Sequence, residues 1–206
     1  MVTAVKICGI TRLEDAEAAV DAGANALGFV FWPESPRFVD PYRARTIVQA
    51  LPPFVTPVGL FVNQPRDYVS GVASLVRLGA VQLHGDETPG FAASIAWPLI
   101  KALSVDRASA WPAQTTLLLD AHDPVKRGGT GQTIDWPAAA AIAKTRKVLL
   151  AGGLTAENVA DAIARVRPFG IDVSSGVERS PGIKDHNRIN ALFEALNANT
   201  HVTSRS

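Results

Sequence analysis

Val5-Lys6-Ile7-Cys8-Gly9-Ile10-Thr11 decides how the rest of this chain is read. Val5 to Ile7 reads as a buried strand, and Gly9 ends it. Cys8, the only cysteine, then stands at the strand's carboxyl end, where an open α/β sheet or a barrel places its chemistry. In isolation a lone cysteine is a small buried hydrophobe. Lys6 just before it and the glycine turn just after it single it out.

Outward from that stretch, Leu13 to Ala22 is apolar at helical spacing, with Thr11 and Glu14 placed as a capping box and Gly23 as the stop. The same strand-then-helix unit recurs. Further strands are expected at Ala26–Phe31, Val58–Val62, Val81–His84, Leu99–Leu103, Thr116–Asp120, Lys147–Ala151 and Gly170–Ser174. Helices are expected at Tyr42–Leu51, Asp67–Leu78, Phe91–Ala96, Pro137–Ala143, Ala156–Val166 (capped by Thr155) and about Asp185–Leu196. The connection Ser104–Ala113 has room for a turn of helix.

The strands are near-continuous apolar runs, as parallel strands covered on both faces must be. Eight units in 206 residues, about 26 each, fit the lower end for a (β/α)8 barrel. The expected fold is therefore α/β, a single-domain (β/α)8 TIM barrel over residues 1–206, with a frayed polar tail at 200–206. Alternation alone also allows a doubly wound open sheet; the count of eight favours closure.

Composition narrows the function. Hydrophobic residues make up 47% and charged residues 19% of the chain, and the net charge is +1 without a Lys/Arg run. Nucleic acid and acidic membranes are poor partners for such a surface. One cysteine precludes an internal disulfide and suits a reducing compartment. Met1 to Lys6 lacks a signal-peptide pattern. The longest uncharged run, Thr46–Pro65, contains Pro52, Pro53 and Pro57, which disqualify it as a membrane helix. A cytoplasmic protein is expected.

In a barrel every strand end faces one mouth. Those ends carry Cys8, the loop with Arg37, Asn63, His84, Lys101, Asp120, Gly152-Gly153 and Ser174-Ser175-Gly176. Glycine-rich backbone before a helix binds phosphate through N–H groups that lack other partners. Gly152-Gly153 beside Ser175-Gly176, after strands seven and eight, make a phosphate site. Gly128-Gly129-Thr130-Gly131 fails as a P-loop, since Gln132 and Lys126 stand where Lys and Gly are needed; a lid over the mouth is the first expectation and an ordinary surface loop the alternative. Asp120, His122 and Asp123 lack a nearby second histidine, so no metal is expected. His84 suits a polar wall, Lys101 either a Schiff base or a snorkelling side chain, and Arg37 a carboxylate clamp.

Taken together, Val5–Thr11, Gly28-Phe29-Val30-Phe31 with Ser35-Pro36-Arg37, Gln82-Leu83-His84-Gly85, Leu118-Leu119-Asp120, Gly128–Gly131, Asp172–Glu178 and Pro181-Gly182 with Lys184-Asp185 closely resemble the phosphoribosylanthranilate isomerase family. The resemblance spans essentially the whole folded chain. It implies a cofactor-free barrel of tryptophan biosynthesis that converts N-(5-phosphoribosyl)anthranilate to the 1-amino-1-deoxyribulose phosphate by an Amadori rearrangement. It also implies Cys8 as general base, Asp120 as general acid and Arg37 at the anthranilate carboxylate. His84, Gly152, Gly153, Asp172, Ser174, Ser175 and Gly176 fall around the phosphoribosyl substrate. Two departures are small: Ala151 replaces a serine often found there, and the tail runs past the usual end.

The residues agree with that chemistry on their own terms. Opening an aminofuranose needs a proton at the ring oxygen, and forming the enolamine needs one removed from C2′; one acid and one base suffice. Asp120 must start protonated, which burial favours. Cys8 must reach its thiolate, with Lys6 or another cation assisting. Alternatives are a related sugar-phosphate isomerase, which would carry aspartate at the position of Cys8, and a non-catalytic phosphosugar-binding barrel, which would lack the acid–base pair. A monomer is expected in preference to a homodimer.

Overall fold

Branched and aromatic runs bounded by glycine, proline or a polar cap set the strands and helices of this chain. The structure, a computed structural model, describes residues 3–120 and 135–202. Eight parallel strands pair in chain order: β1 (Ala4–Cys8), β2 (Ala26–Val30), β3 (Thr56–Phe61), β4 (Ala80–Leu83), β5 (Leu99–Leu103), β6 (Thr116–Leu119), β7 (Val148–Leu150) and β8 (Gly170–Val173). The sheet closes on itself, Val5 pairing with Ile171 and Lys6 with Asp172 across the β1–β8 seam. Closure decides for the barrel over the open sheet. Around it lie α1 (Leu13–Ala22), α2 (Pro41–Ala50), α3 (Arg66–Val76), α4 (Pro89–Ala93), α5 (Trp136–Ala143), α6 (Val159–Val166) and α7 (His186–Val202), with a 3-10 helix at Val105–Ala110 after β5.

Strand alternation divides the apolar residues between two environments. Ile7, Phe29, Phe61, Leu83, Leu117 and Leu150 point outward into one large core shared with the helices. Their neighbours point inward, forming two small clusters: Cys8, Val30, Leu60 and Val62 on one side of the barrel, and Ala102, Leu118, Leu149 and Ala151 on the other. Cys8 is thus an inward residue of the upper barrel and no part of the main core.

Several local expectations give way to other contacts. The Thr11–Glu14 capping box does not form: Arg12 precedes the first turn of α1 without a side-chain cap, and the Thr11 hydroxyl donates to the Gly182 carbonyl instead. Gly23 does stop the helix, in the left-handed conformation (φ 114°) that favours glycine. α6 begins at Val159 rather than Ala156, because the Asn158 side chain accepts from the Thr155 N–H (2.9 Å) and donates to the Gly153 carbonyl (2.9 Å). Those bonds make a turn of the stretch assigned to helix. After β8 the chain forms a 3-10 turn, Ser175–Val177, and an unexpected hairpin of β9 (Glu178–Ser180) and β10 (Ile183–Lys184). α7 continues through Val202, so the first residues of the tail expected to fray are helical; 203–206 lie outside the described residues. Among the described residues no helix is long and apolar enough to cross a membrane.

Candidate active site

A cavity opens at the carboxyl ends of the strands. Cys8, Arg37, His84, Asp120, Gly152, Gly153, Asp172, Ser174, Ser175 and Gly176 all line it. Ten of the residues expected at the mouth therefore meet in one space, although they come from β1, β2, β4, β6, β7, β8 and their loops; Asn63 and Lys101, also expected there, do not line it. The Gly128–Gly131 loop, His122 and Asp123 lie outside the described residues.

The floor is built by period-2 geometry. Lys6 and Cys8 are two apart on β1 and share its inner face, and Asp172 sits in register opposite Lys6 on β8. Lys6 Nζ donates to Asp172 Oδ1 at 2.7 Å, and both Lys6 and Cys8 are almost fully buried. Gly28, opposite Cys8 on β2, makes this possible: a Cβ there would stand 2.7 Å from Cys8 Sγ and 3.1 Å from Lys6 Cε. Burial pushes the Cys8 thiol above its ordinary range; the Lys6 charge opposes that, Asp172 reinforces it, and Lys184 opposes it. Burial would lower Lys6, but the charges of Asp172 and Cys8 outweigh it and hold the ammonium above its usual value.

At the rim, Arg37 is fixed by a partner that no sequence argument named. Glu178, buried at the start of β9, accepts from Arg37 Nε (2.9 Å) and Nη2 (2.7 Å), from Lys184 Nζ (2.9 Å) and from the Gly182 N–H (3.2 Å). Burial alone would raise the Glu178 carboxyl; the Arg37 hydrogen bonds and the Lys184 charge overcome it and hold it below the usual carboxylate range. Lys184 Nζ also donates to the Cys8 and Ser174 carbonyls, so the hairpin is tied to both β1 and β8. Below it Asp15, fully buried, binds Arg12 (2.7 Å), His186 (2.9 Å) and the Lys184 N–H (3.1 Å). The signal for Glu178 and Lys184 was a carboxylate and a lysine in a glycine- and serine-rich stretch, but their pairing is set only by the hairpin.

On the wall, the Gln82 side chain donates from Nε2 to His84 Nδ1 (3.0 Å) and fixes the plane of the ring. Lys101 needs correction on both expectations. Strand alternation turns it outward, away from the inward-facing Ile100 and Ala102, and it is buried against Glu87 (2.8 Å) and the Gly85 carbonyl (2.6 Å). It neither snorkels nor reaches the cavity. Glu87 also accepts from the Asn63 and Gly85 N–H groups (2.7 and 3.0 Å), so this ion pair holds the loops after β3 and β4 together.

Across the mouth, Gly152 and Gly153 have φ of 86° and 65°. That left-handed pair turns the backbone toward the cavity before α6. Gly176 lies so close to the β7 loop that a Cβ would meet the Leu154 carbonyl oxygen at 1.9 Å. The buried Ser174 hydroxyl has no hydrogen-bond partner among the described residues. Backbone N–H groups and an uncommitted hydroxyl around one space suit an anion such as phosphate.

Known proteins resemble the chain along nearly its full length. Residues 5–195 match the family model for N-(5'phosphoribosyl)anthranilate (PRA) isomerase. The N-(5'-phosphoribosyl)anthranilate isomerase of Pelobacter propionicus is 52% identical over 186 residues, covering 88% of this chain and 89% of that one. The crystal structure of phosphoribosyl anthranilate isomerase from Thermus thermophilus superposes with a TM-score of 0.86 at 43% identity, covering 95% of this chain and 99% of the other. A related crystal structure, 41% identical with a TM-score of 0.83 over 95% of this chain and 99% of the other, is a complex with reduced 1-(o-carboxyphenylamino)-1-deoxyribulose 5-phosphate. With a closed eight-stranded barrel and one cavity at its carboxyl mouth, the chain belongs to the phosphoribosylanthranilate isomerase family, the isomerases of tryptophan biosynthesis.

Proposed function

We propose that Cys8 and Asp120 carry the two proton transfers of the isomerisation, Asp120 protonating the ribose ring oxygen and the Cys8 thiolate taking the C2′ proton. The observation that supports this most is their placement. Both line the one cavity, from strands that are not neighbours in the barrel, so a furanose fits between an acid on one side and a base on the other. Arg37, with one edge of its guanidinium held by Glu178, presents the rest to the anthranilate carboxylate. The backbone at Gly152-Gly153 and Ser175-Gly176, with the Ser174 hydroxyl, takes the phosphate, and Asp172 and His84 border the sugar between these ends.

The ligand named for the related complex, a carboxyphenylamino deoxyribulose phosphate, carries a carboxylate, a sugar and a phosphate. A guanidinium, a polar wall and a glycine-rich backbone lining one cavity suit these three parts. All proposed site residues come from one chain, so a monomer is a complete working unit. A base that must stay a free thiol works in a reducing compartment such as the cytoplasm.

The test is turnover, product affinity and melting of Cys8→Ser and Asp120→Asn. Each variant is expected to lose roughly 10²–10⁴-fold in turnover, as positioned acid–base groups do, and to keep its fold and product binding. Near-normal turnover in Cys8→Ser would place the base elsewhere.

A further inference from the structure

We infer that Lys6 is a positioning residue of the reaction: its buried ammonium, shared between Asp172 and Cys8, sets how much of Cys8 is thiolate. This rests on Cys8 being the base. Lys6, Cys8 and Asp172 all face the barrel interior at the β1–β8 seam, and Cys8 and Asp172 line the cavity while Lys6 lies one inward-facing layer deeper. One cation therefore has two neighbours that can carry negative charge, a carboxylate at 2.7 Å and, two residues on along the same strand face, the Cys8 sulfur. A buried ammonium with that environment stays charged, and a charge next to a thiol favours the thiolate.

The other charged groups near Cys8 are committed differently. Lys184, from β10, approaches the Cys8 carbonyl rather than the sulfur, and its charge is met by Glu178 and the Ser174 carbonyl. Arg37 is held by Glu178 at the rim. Asp120, directly after β6, lines the cavity at the end of a strand separated from β1 by β7 and β8. Lys6 alone among these cations shares a strand face with the sulfur. Gly28 keeps the space between them open: a side chain there would press on both Sγ and Cε.

The proton count closes. The thiol proton leaves to solvent before substrate seals the mouth. The thiolate then accepts the C2′ proton and becomes a thiol again, while Asp120 gives its proton to the ring oxygen. Exchange of one proton each with water resets both groups.

Lys6 and Asp172 pull on the sulfur in opposite directions, and that is what separates this role from simple support of the fold. Because Cys8 is the only cysteine, the ultraviolet thiolate absorbance of the protein, taken as a difference against Cys8→Ser, reports Cys8 alone. Titrated in this way, Lys6→Met is expected to move the thiolate midpoint up by a unit or more, roughly a tenfold loss of thiolate at a fixed pH below it. Asp172→Asn, which keeps the shape and leaves the ammonium with one anionic neighbour, is expected to move the midpoint down.

Shifts of opposite sign support the assignment. An Asp172→Asn midpoint at or above that of the wild type overturns it, and that variant decides the matter even if Lys6→Met does not fold. Loss of fold would by itself bring Cys8 down toward the ordinary thiol value, so the Asp172→Asn midpoint is read below its own melting transition, with circular dichroism matching wild type, and a variant that melts out at the assay temperature is replaced by Asp172→Ser. The titration reads the thiolate without turnover, so it stands apart from the Cys8→Ser assay: that assay tests whether Cys8 is the base, and this one tests what sets its charge.

Discussion

Replacing Glu178 by alanine is the perturbation whose cost the structure defines best. The carboxylate satisfies two cations and one N–H. Removing it leaves Arg37 and Lys184 without their anion, and the two respond differently. The Arg37 side chain is 18% exposed and can turn toward water, whereas the Lys184 side chain is 0% exposed and cannot. The loss should therefore come chiefly from Lys184, a buried cation whose remaining partners are the neutral carbonyls of Cys8 and Ser174.

Breaking a buried pair by deleting one partner costs about 3–5 kcal/mol. For a chain of this length that corresponds to a fall in Tm of roughly 6–20 °C. Chemical denaturation of Glu178→Ala, Lys184→Met and the double variant measures it. The double variant should lose less than the two single losses together, because it no longer strands a charge. A Glu178→Ala protein within about 0.5 kcal/mol of wild type, the range of an ordinary surface substitution, would show that the two carbonyls alone satisfy Lys184 and that the argument is wrong.

Arg37→Ala should lower kcat/KM by the equivalent of about 2–4 kcal/mol if the clamp binds the anthranilate carboxylate out of water, and an unchanged value would make Arg37 a packing partner of Glu178 only. Lys101→Met should leave turnover close to wild type while lowering stability, since Glu87 is left buried without its cation; abolished turnover with an intact fold would return Lys101 to the chemistry.

Acid should destabilise the protein through Asp15 and Glu178. Burial would raise the Asp15 carboxyl, but its bonds to Arg12, the Lys184 N–H and His186 lower it, and Glu178 is likewise held low. Both fold-state values lie below the unfolded ones. Their stabilisation is therefore full above the ordinary carboxylate range of about 4 and is lost as pH falls through the lowered values. Urea midpoints measured from pH 6 downward should fall, and Asp15→Asn should flatten that slope; an unchanged slope would remove Asp15 from this role.

Much of this protein is set by properties of short stretches. Apolar runs such as Leu117–Leu119 can only be strands covered on both faces, and eight of them with helical spacing between bring Cys8, Asp120, Gly152-Gly153 and Ser174–Gly176 to one end of the fold. Phase along a strand was legible too: Lys6 and Cys8 share a face because side chains alternate, and the same rule applied to β5 turns Lys101 outward, once Ile100 and Ala102 are known to face in.

What the sequence left open involves pairs far apart in the chain. That the sheet closes, that Asp172 stands opposite Lys6, and that Glu178 holds Arg37 depend on register and on a hairpin between Glu178 and Lys184 that has no apolar pattern of its own. Local signals fail where such a contact is stronger, as when Thr11 leaves its capping position for the Gly182 carbonyl, and also where a competing local bond wins, as when Asn158 holds a turn where helix was expected. Periodicity follows from neighbours within a few residues. The partner of a buried charge is chosen by whatever the closed barrel places beside it.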